Sequence, residues 1–155
     1  MRFTPYLHFN GDCAEAMNFY ARVLGGQVVD LYRFGDMPPE EGAPPLSEAD
    51  QQKVMHARLV HGGGQLMASD VVAGFCGEEA GYQKPQGIWI AFTAADAVEG
   101  ERIFNALAEG GTVTMPFGPT FFSQGFGQLT DRFGIPWMVD VAAEEGSATI
   151  GKGNQ

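Results

Sequence analysis

Cysteines, basic residues and long apolar runs are all scarce in this sequence. Cys13 and Cys76 are the two cysteines of the 155 residues. Neither belongs to a Cys-x-x-Cys pair nor has a His at zinc-ligand spacing, so we expect reduced thiols and no zinc site. Nine Lys and Arg against 19 Asp and Glu leave a formal net charge of −10. This acidity offers no basic surface to nucleic acid or to anionic membranes.

No apolar stretch approaches the roughly 18 to 20 residues that a bilayer-spanning helix needs. The first residues, Met1-Arg2-Phe3-Thr4-Pro5, also lack the apolar segment of a secretory signal. The sequence therefore predicts a cytoplasmic protein. We expect its partners to be a small molecule or another protein chain, with no nucleic acid and no membrane.

The 22 glycines and 9 prolines are instead numerous, and an internal repeat accounts for many of them. Residues 9–26 and 92–111 share an Asp-x-x-Glu pattern, at Asp12 and at Asp96, which predicts a capping box at a helix start. Apolar residues at helical spacing follow in both copies. Gly-Gly pairs, Gly25-Gly26 and Gly110-Gly111, then end the two predicted helices.

Short β-prone runs flank both predicted helices, so each half of the chain reads as strand, helix and three further strands. The fold class is therefore α+β, with two tandem βαβββ modules, at about residues 1–71 and 86–142, in a single domain spanning 1–142. The Pro-rich residues 35–53 are predicted to form a polar loop in the first module. Residues 143–155 are predicted to form a loose tail.

This repeat resembles the paired βαβββ modules of the vicinal oxygen chelate superfamily, which includes glyoxalase I, bleomycin-resistance proteins and extradiol dioxygenases. The sequence is similar to the PhnB-like branch of that superfamily, some members of which carry a demethylubiquinone-methyltransferase-like label. No Gly-rich loop follows the first predicted strand, so nothing in the sequence supports methyl transfer. The matching stretches are Pro5-Tyr6-Leu7, Phe9-Asn10-Gly11, residues 34–38, His56-Ala57, residues 67–70, Thr120-Phe121-Phe122 and residues 126–138.

The resemblance implies curled mixed sheets that enclose a pocket, and a homodimer in which modules pair across subunits. It also implies a divalent-metal site at four positions, which fall near Pro5, Met67, Trp89 and Met138. None of these side chains suits a hard divalent ion, which takes carboxylate, imidazole or amide ligands. We therefore predict no metal and no other cofactor.

His56 and Arg58 are the first candidates for ligand binding, because alternate residues of a strand share one face. If that face lines the pocket, His56 could serve as base or donor and Arg58 could hold an anion. The alternative is a solvent-exposed face or a dimer contact. His8 alternates with Leu7 and Phe9, and we expect a structural or surface role for it. His61, beside three glycines, is interpreted as a turn residue.

Asp70 could accept a proton from a substrate, although an Asp at a strand end more often stabilises a turn. An aromatic wall for a flat ligand is predicted from strand and loop aromatics, some of which must instead be core. Ser123 and Gln124 are expected to contact ligand at the mouth of the pocket. The complete predicted ligand-binding set is His56, Arg58, Asp70, Trp89, Phe121, Phe122, Gln124 and Trp137, with Phe126 as a further aromatic.

The sequence thus predicts a small-molecule-binding protein with an apolar and aromatic pocket and without an intact divalent-metal site. It assigns no catalytic residue. Two alternatives stay open: a metal-dependent lyase, isomerase or dioxygenase, and a drug-sequestering protein of the bleomycin-resistance kind. An acidic protein would attract a cationic drug.

Overall fold

The computed structural model describes residues 2–75, 77 and 79–142. The chain separates into two compact units, of which the first is Met1–Gly87 and the second begins at Ile88. The predictions for Cys76 and for the tail at 143–155 lie outside the described residues. In the described part of the chain, no helix is both long and apolar enough to cross a membrane.

The first unit contains one four-stranded mixed sheet and a long helix. Its strands pair in the order β1-β4-β3-β2, with β1 parallel to β4 and the other pairs antiparallel. The elements are β1 (Tyr6–Phe9), α1 (Cys13–Leu24), β2 (Gln27–Arg33), a 3-10 helix (Phe34–Asp36), α2 (Glu48–Gln52), β3 (Val54–His61) and β4 (Gly64–Asp70).

The second unit repeats this topology. Its strands pair in the order β5-β8-β7-β6, again with one parallel pair, β5 and β8. The elements are β5 (Ile90–Ala94), α3 (Ala97–Ala108), β6 (Thr112–Gly118), β7 (Phe126–Thr130) and β8 (Pro136–Val141). The predicted pair of βαβββ modules is confirmed.

Each helix covers one face of its own sheet, and strand alternation divides the side chains between that face and the opposite one. In β1, Leu7 and Phe9 are buried, whereas Tyr6 and His8 point the other way and keep some exposure. The same alternation buries Trp137, Val139 and Val141 in β8. We call the opposite side of each sheet its helix-free face.

Two local predictions were wrong. Residues 35–53 do not form a loop throughout, because they include the end of the 3-10 helix and all of α2, whose Ser47 hydroxyl accepts the Asp50 N–H at 3.1 Å. The five residues of α2 are polar apart from Ala49 and none is buried, so the helix shows no apolar periodicity. The Asp12 side chain makes no capping hydrogen bond to α1, whereas Asp96 caps α3 by accepting the Glu99 N–H at 2.8 Å.

The two glycines of each Gly-Gly pair have different roles. Gly25 and Gly110 adopt φ values of +73° and +74° at the helix ends, as the pattern predicted. The second glycines lie where the chain passes close to a strand backbone. A Cβ on Gly26 would lie 2.7 Å from the Val60 carbonyl oxygen, and one on Gly111 would overlap the Thr130 carbonyl oxygen.

Candidate functional site

The helix-free face of the first sheet carries a group of aromatic and imidazole side chains. Strand register places Tyr6 beside Met67 and Met67 opposite Arg58, so these three lie in one row across the sheet. His8 pairs with Ser69 in the next row. The predicted shared face of His56 and Arg58 is therefore one that α1 does not cover.

Tyr6 connects the two histidines of this face. Its hydroxyl lies 3.3 Å from His56 Nδ1, within hydrogen-bond distance. The His8 ring packs edge-on against Tyr6 at 5.6 Å between centroids, and the His56 ring lies 5.9 Å from Tyr6. Two imidazoles and a phenol thus offer both donors and acceptors in one place.

Tyr6 and His8 border a pocket of about 190 Å³, whereas His56 contacts Tyr6 but is not one of its lining residues. The hydroxyl groups of Tyr6 and Ser69 and the imidazole of His8 provide its polar groups, while Asp70 contributes a carboxylate. The remaining lining residues are apolar: Phe34, Met55, Val72 and Phe75. A small, mostly apolar cavity with a few convergent polar groups is the usual form of a ligand site.

Asp70 reaches this pocket but uses its carboxylate to hold the fold together. Oδ1 accepts the N–H groups of Gly11 and Cys13 at 2.8 and 3.0 Å, and Oδ2 accepts that of Val54 at 2.8 Å. The residue is 3% exposed. Asp70 therefore supplies the α1 cap that Asp12 does not, and it joins the start of α1 to the start of β3.

Burial and neighbouring charge govern the titrating groups near this junction. Desolvation, with smaller contributions from Asp70 and Asp12, raises the pKa of the Cys13 thiol well above its usual range. Burial is also the main cause that raises the pKa of Asp12. Cys13 is therefore an uncharged core side chain rather than a nucleophile.

The guanidinium of Arg58 forms an ion pair within the sheet. Its Nε lies 2.6 Å from Asp30 Oδ2 on the neighbouring strand β2, and both side chains are about one-third exposed, at 35% and 29%. The anion-binding role predicted for Arg58 would have to compete with this ion pair.

The second sheet carries a different group on its helix-free face. Register places Thr93, Asp140, Phe126 and Gly118 in one row across its four strands. The Oδ1 atom of Asp140 is buried and has no hydrogen-bond partner within the described structure. Nothing lies within 4 Å of a Cβ built on Gly118, so the row ends in open space beside Phe126.

Three phenylalanine rings form a chain next to Asp140. Phe126 contacts Phe122 and Phe122 contacts Phe121, each at 5.1 Å between centroids and edge-on. Phe121 is fully exposed and Phe122 is 56% exposed. The structure thus brings two predicted aromatics together with Phe126.

The other predicted residues are dispersed. Gln124 is exposed in the loop before β7, and Trp89 is half-buried immediately before β5. Trp137 is 1% exposed on the α3 side of its sheet, and its indole N–H donates to Asp131 at 2.8 Å. The Ser123 hydroxyl, expected to contact ligand, instead donates to the Gly125 carbonyl at 2.8 Å within its own loop.

Sequence reasoning missed several lining residues of the first pocket. Tyr6 and His8 have the same i, i+2 spacing as His56 and Arg58, so strand alternation could have grouped them. The opposite parity of Leu7 and Phe9 separates His8 from the core, but parity alone does not place it in a pocket. Strand alternation does not predict Phe34 and Phe75 as lining residues, because they lie in the 3-10 helix and in the turn after β4. Met55 lies in β3 but has the opposite parity to His56.

The four positions implied for a divalent metal do not carry ligands for one. Pro5 accepts the Met67 N–H through its carbonyl at 3.0 Å, so these two positions are neighbours in the first sheet. In the second, Met138 lies on β8 and Trp89 precedes β5. Proline, methionine and tryptophan lack the donors of a hard divalent site. Within the described residues, no three His, Cys, Asp or Glu side chains cluster as a metal site would require.

Comparison with known proteins agrees with this architecture. The model of the Glyoxalase/Bleomycin resistance protein/Dioxygenase superfamily matches residues 2–139. Protein YjdN of Escherichia coli is 31% identical over 150 residues, which cover 94% of this chain and 98% of YjdN.

Two solved structures are also similar. Protein PA1353 from Pseudomonas aeruginosa has a TM-score of 0.78 at 43% identity, covering 91% of this chain and 97% of its own. A PhnB protein from Bacillus cereus, proposed to be a 3-demethylubiquinone-9 3-methyltransferase, has a TM-score of 0.66 at 28% identity, covering 92% and 100%. With a family model that spans nearly the whole described chain and a repeated βαβββ topology, this chain belongs to the Glyoxalase/Bleomycin resistance protein/Dioxygenase superfamily.

Proposed function

We propose that this protein binds a small organic molecule in the pocket on the helix-free face of its first sheet. The observation that carries the proposal is the convergence of Tyr6, His8 and Ser69 in a cavity whose other lining residues, apart from Asp70, are apolar. Aromatic and sulfur-containing walls favour a flat or apolar ligand, and the phenol and imidazole groups select one that carries a hydrogen-bonding oxygen.

The size of the cavity restricts the ligand further. Its 190 Å³ lie below the roughly 300 to 1,000 Å³ typical of sites for drug-sized ligands. A single ring with one or two oxygen substituents is therefore the expected scale. No metal enters this proposal, since the four family positions lack suitable donor atoms.

A screen of phenols, benzoates and cyclic ketones by thermal shift, followed by calorimetry on the hits, tests the proposal. We expect His8→Ala to weaken binding of a hit about tenfold through loss of a hydrogen bond and ring contact. His61→Ala is the matched control, because His61 is an exposed residue at the β3–β4 turn. Equal affinities for the two variants, or a screen without any hit, would contradict the proposal.

Asp140 and its aromatic neighbours favour a second candidate function, the sequestration of a cationic aromatic compound. A carboxylate oxygen that finds no hydrogen-bond donor among the described residues lies on the strand position opposite Phe126, the last ring of the phenylalanine chain. A cation gains from both a carboxylate and aromatic faces. The net charge of −10 would add long-range attraction.

Binding of bleomycin-like and planar cationic compounds, measured at two salt concentrations, distinguishes this function from the first. Asp140→Asn should weaken the binding of such a compound and leave the affinity for a ligand of the first pocket unchanged. Loss of both ligands, or of neither, would count against a separate cationic site.

We do not propose for this chain the methyl-transfer activity that the description of the Bacillus cereus protein names. Residues Asn10-Gly11-Asp12 join β1 to α1, and this connection lacks the repeated glycines of a nucleotide-type loop. A homodimer and a cytoplasmic location complete the proposal and rest on the family resemblance and on composition.

A further inference from the structure

A second and larger cavity adjoins the first pocket in the same unit. It has a volume of about 770 Å³ and is lined mainly by residues 37–46, the Pro-rich segment between the 3-10 helix and α2. Phe34 and Phe75 line both cavities. Their rings lie edge-on at 6.2 Å between centroids, so the same aromatic pair contributes to the lining of both cavities.

The larger cavity is mainly apolar. Prolines, Met37 and Leu46 line it together with the two shared phenylalanines, while Glu40 and Gln51 supply its polar side chains. Four prolines line the cavity, and their fixed φ angles restrict the segment and leave it few alternative shapes.

Both ends of the Pro-rich segment are anchored. On one side, the Arg33 guanidinium donates to the Gln52 carbonyl and the Phe34 N–H donates to the Lys53 carbonyl at 3.0 Å. On the other, the Gln51 side chain donates to the Leu46 carbonyl at 3.2 Å. A Cβ on Gly35 would lie 3.0 Å from the Gln51 carbonyl oxygen, so the 3-10 helix packs closely on α2.

We infer that the two cavities form one composite site for an amphiphilic ligand. The polar head, a ring with a hydrogen-bonding oxygen, occupies the first pocket, and a hydrocarbon tail passes Phe34 and Phe75 into the larger cavity. This inference rests on the proposed function for the head group and adds the substrate class. The first pocket has room for about one ring, whereas the larger cavity offers apolar surface with few groups to satisfy a polar ligand.

Alkyl esters of 4-hydroxybenzoate, from methyl to octyl, are suitable probes because only the tail changes along the series. Full burial of a methylene improves affinity about fourfold. The prolines of the cavity wall are exposed, so we expect a smaller gain, about twofold for each methylene. Calorimetry on the full-length protein measures the dissociation constant of each ester.

Leu46→Glu should abolish the dependence on tail length and leave the methyl ester at its wild-type affinity. Ala43→Glu, at an exposed position of the same lining, provides a second variant if Leu46→Glu folds poorly. Val98→Glu is the control, because Val98 is 80% exposed on α3 in the other unit. It should keep the wild-type dependence.

The outcomes separate the two proposals. A methyl ester that binds without any gain from longer tails overturns the composite site and leaves the head-group pocket standing. A dependence on tail length that survives both Leu46→Glu and Ala43→Glu also overturns it. Failure of every ester to bind, the methyl ester included, removes the proposed function for this head-group class together with the inference.

Discussion

At the residue scale, three carboxylates show how differently this fold uses the same group. Asp70 and Asp131 are 3% and 4% exposed, and each accepts three hydrogen bonds. Asp131 receives those of Phe133, Ile135 and the Trp137 indole. Asp140 has a buried oxygen with no partner among the described residues. The first two stabilise turns and caps, whereas the third costs stability unless a ligand supplies a donor.

Replacement of these three carboxylates by Asn should therefore change the free energy of unfolding in different ways. Asp70→Asn and Asp131→Asn each lose charge-assisted bonds and place an amide N–H₂ against a backbone or indole N–H, at a cost of about 2 to 4 kcal/mol. Asp140→Asn removes an unpaired charge and should be neutral or stabilising by up to about 1 kcal/mol. Urea unfolding measures all three, and a loss at Asp140 as large as at Asp70 would contradict this account.

Asp12 gives a pH-dependent prediction. Burial raises the pKa of Asp12 above its ordinary value of 3.8, so the folded protein holds this proton more tightly than the unfolded chain. Ionised Asp12 thus opposes folding at neutral pH, and the penalty disappears as the pH falls through the raised pKa and below 3.8. Asp12→Asn should raise the Tm at pH 7 and match wild type near pH 3.

Asp50 is the control of opposite sign. Hydrogen bonds from Lys53 and Ser47 lower the pKa of this carboxyl, so ionised Asp50 favours folding above pH 3.8 and the benefit is lost as the pH falls through the lowered pKa. Asp50→Asn should lower the Tm at pH 7, by a small amount because the pair is at the surface. If both variants shifted the Tm in the same direction, the assignment for Asp12 would be wrong.

At the element scale, both helices of the repeated modules end by the same device. The first glycine of each pair turns the chain through a positive φ, and the second lets it pass beside a strand carbonyl. The first requirement is conformational and another residue can meet it at a moderate cost. The second is steric and involves backbone atoms on both sides, which cannot move aside without disturbing the sheet.

Gly26→Ala should consequently destabilise more than Gly25→Ala. The strained φ of an alanine at Gly25 costs about 1 kcal/mol, whereas the Cβ at Gly26 would overlap the Val60 carbonyl oxygen and cost about 3 kcal/mol or more. The same order is expected for Gly111→Ala against Gly110→Ala. Denaturant midpoints rank the four variants, and a larger loss at Gly25 than at Gly26 would refute the steric explanation.

At the scale of the whole molecule, the duplicated topology has not produced duplicated chemistry. The row that carries His8 and Ser69 in the first sheet corresponds to Thr93 and Asp140 in the second. The first unit also has the Pro-rich segment and its cavity. The two modules therefore share strand pairing and core alternation and differ on their helix-free faces, where ligands would bind.

The second unit also exposes apolar side chains that favour association. In β6, an edge strand, Val113 and Met115 are 45% and 37% exposed, and unpaired edges with such residues tend to find a partner. We expect a homodimer with twice the 16.6 kDa chain mass by light scattering. The double variant Val113→Glu, Met115→Glu should be monomeric and Val98→Glu dimeric; a monomeric wild type would contradict the prediction.

Much of the fold could be predicted because its determinants are local in sequence. Helical spacing of apolar residues defined α1 and α3, and alternation with turn glycines defined the hairpins. Function was harder to predict. The sequence predicted Asp70 as a possible ligand contact. Its three backbone partners lie 16 to 59 residues away along the chain, and no local sequence pattern predicts such long-range hydrogen bonds.

By itself, the sequence determined the two modules, the family and the unsuitability of the four metal positions, because each depends on residue type and spacing along the chain. Only the tertiary structure decided which side chains meet. It brought Tyr6 to His56, placed Phe34 and Phe75 in the lining of both cavities and buried Trp137 in the core. Strand parity says that residues share a face, but sheet register and the side that the helix covers decide what that face can do.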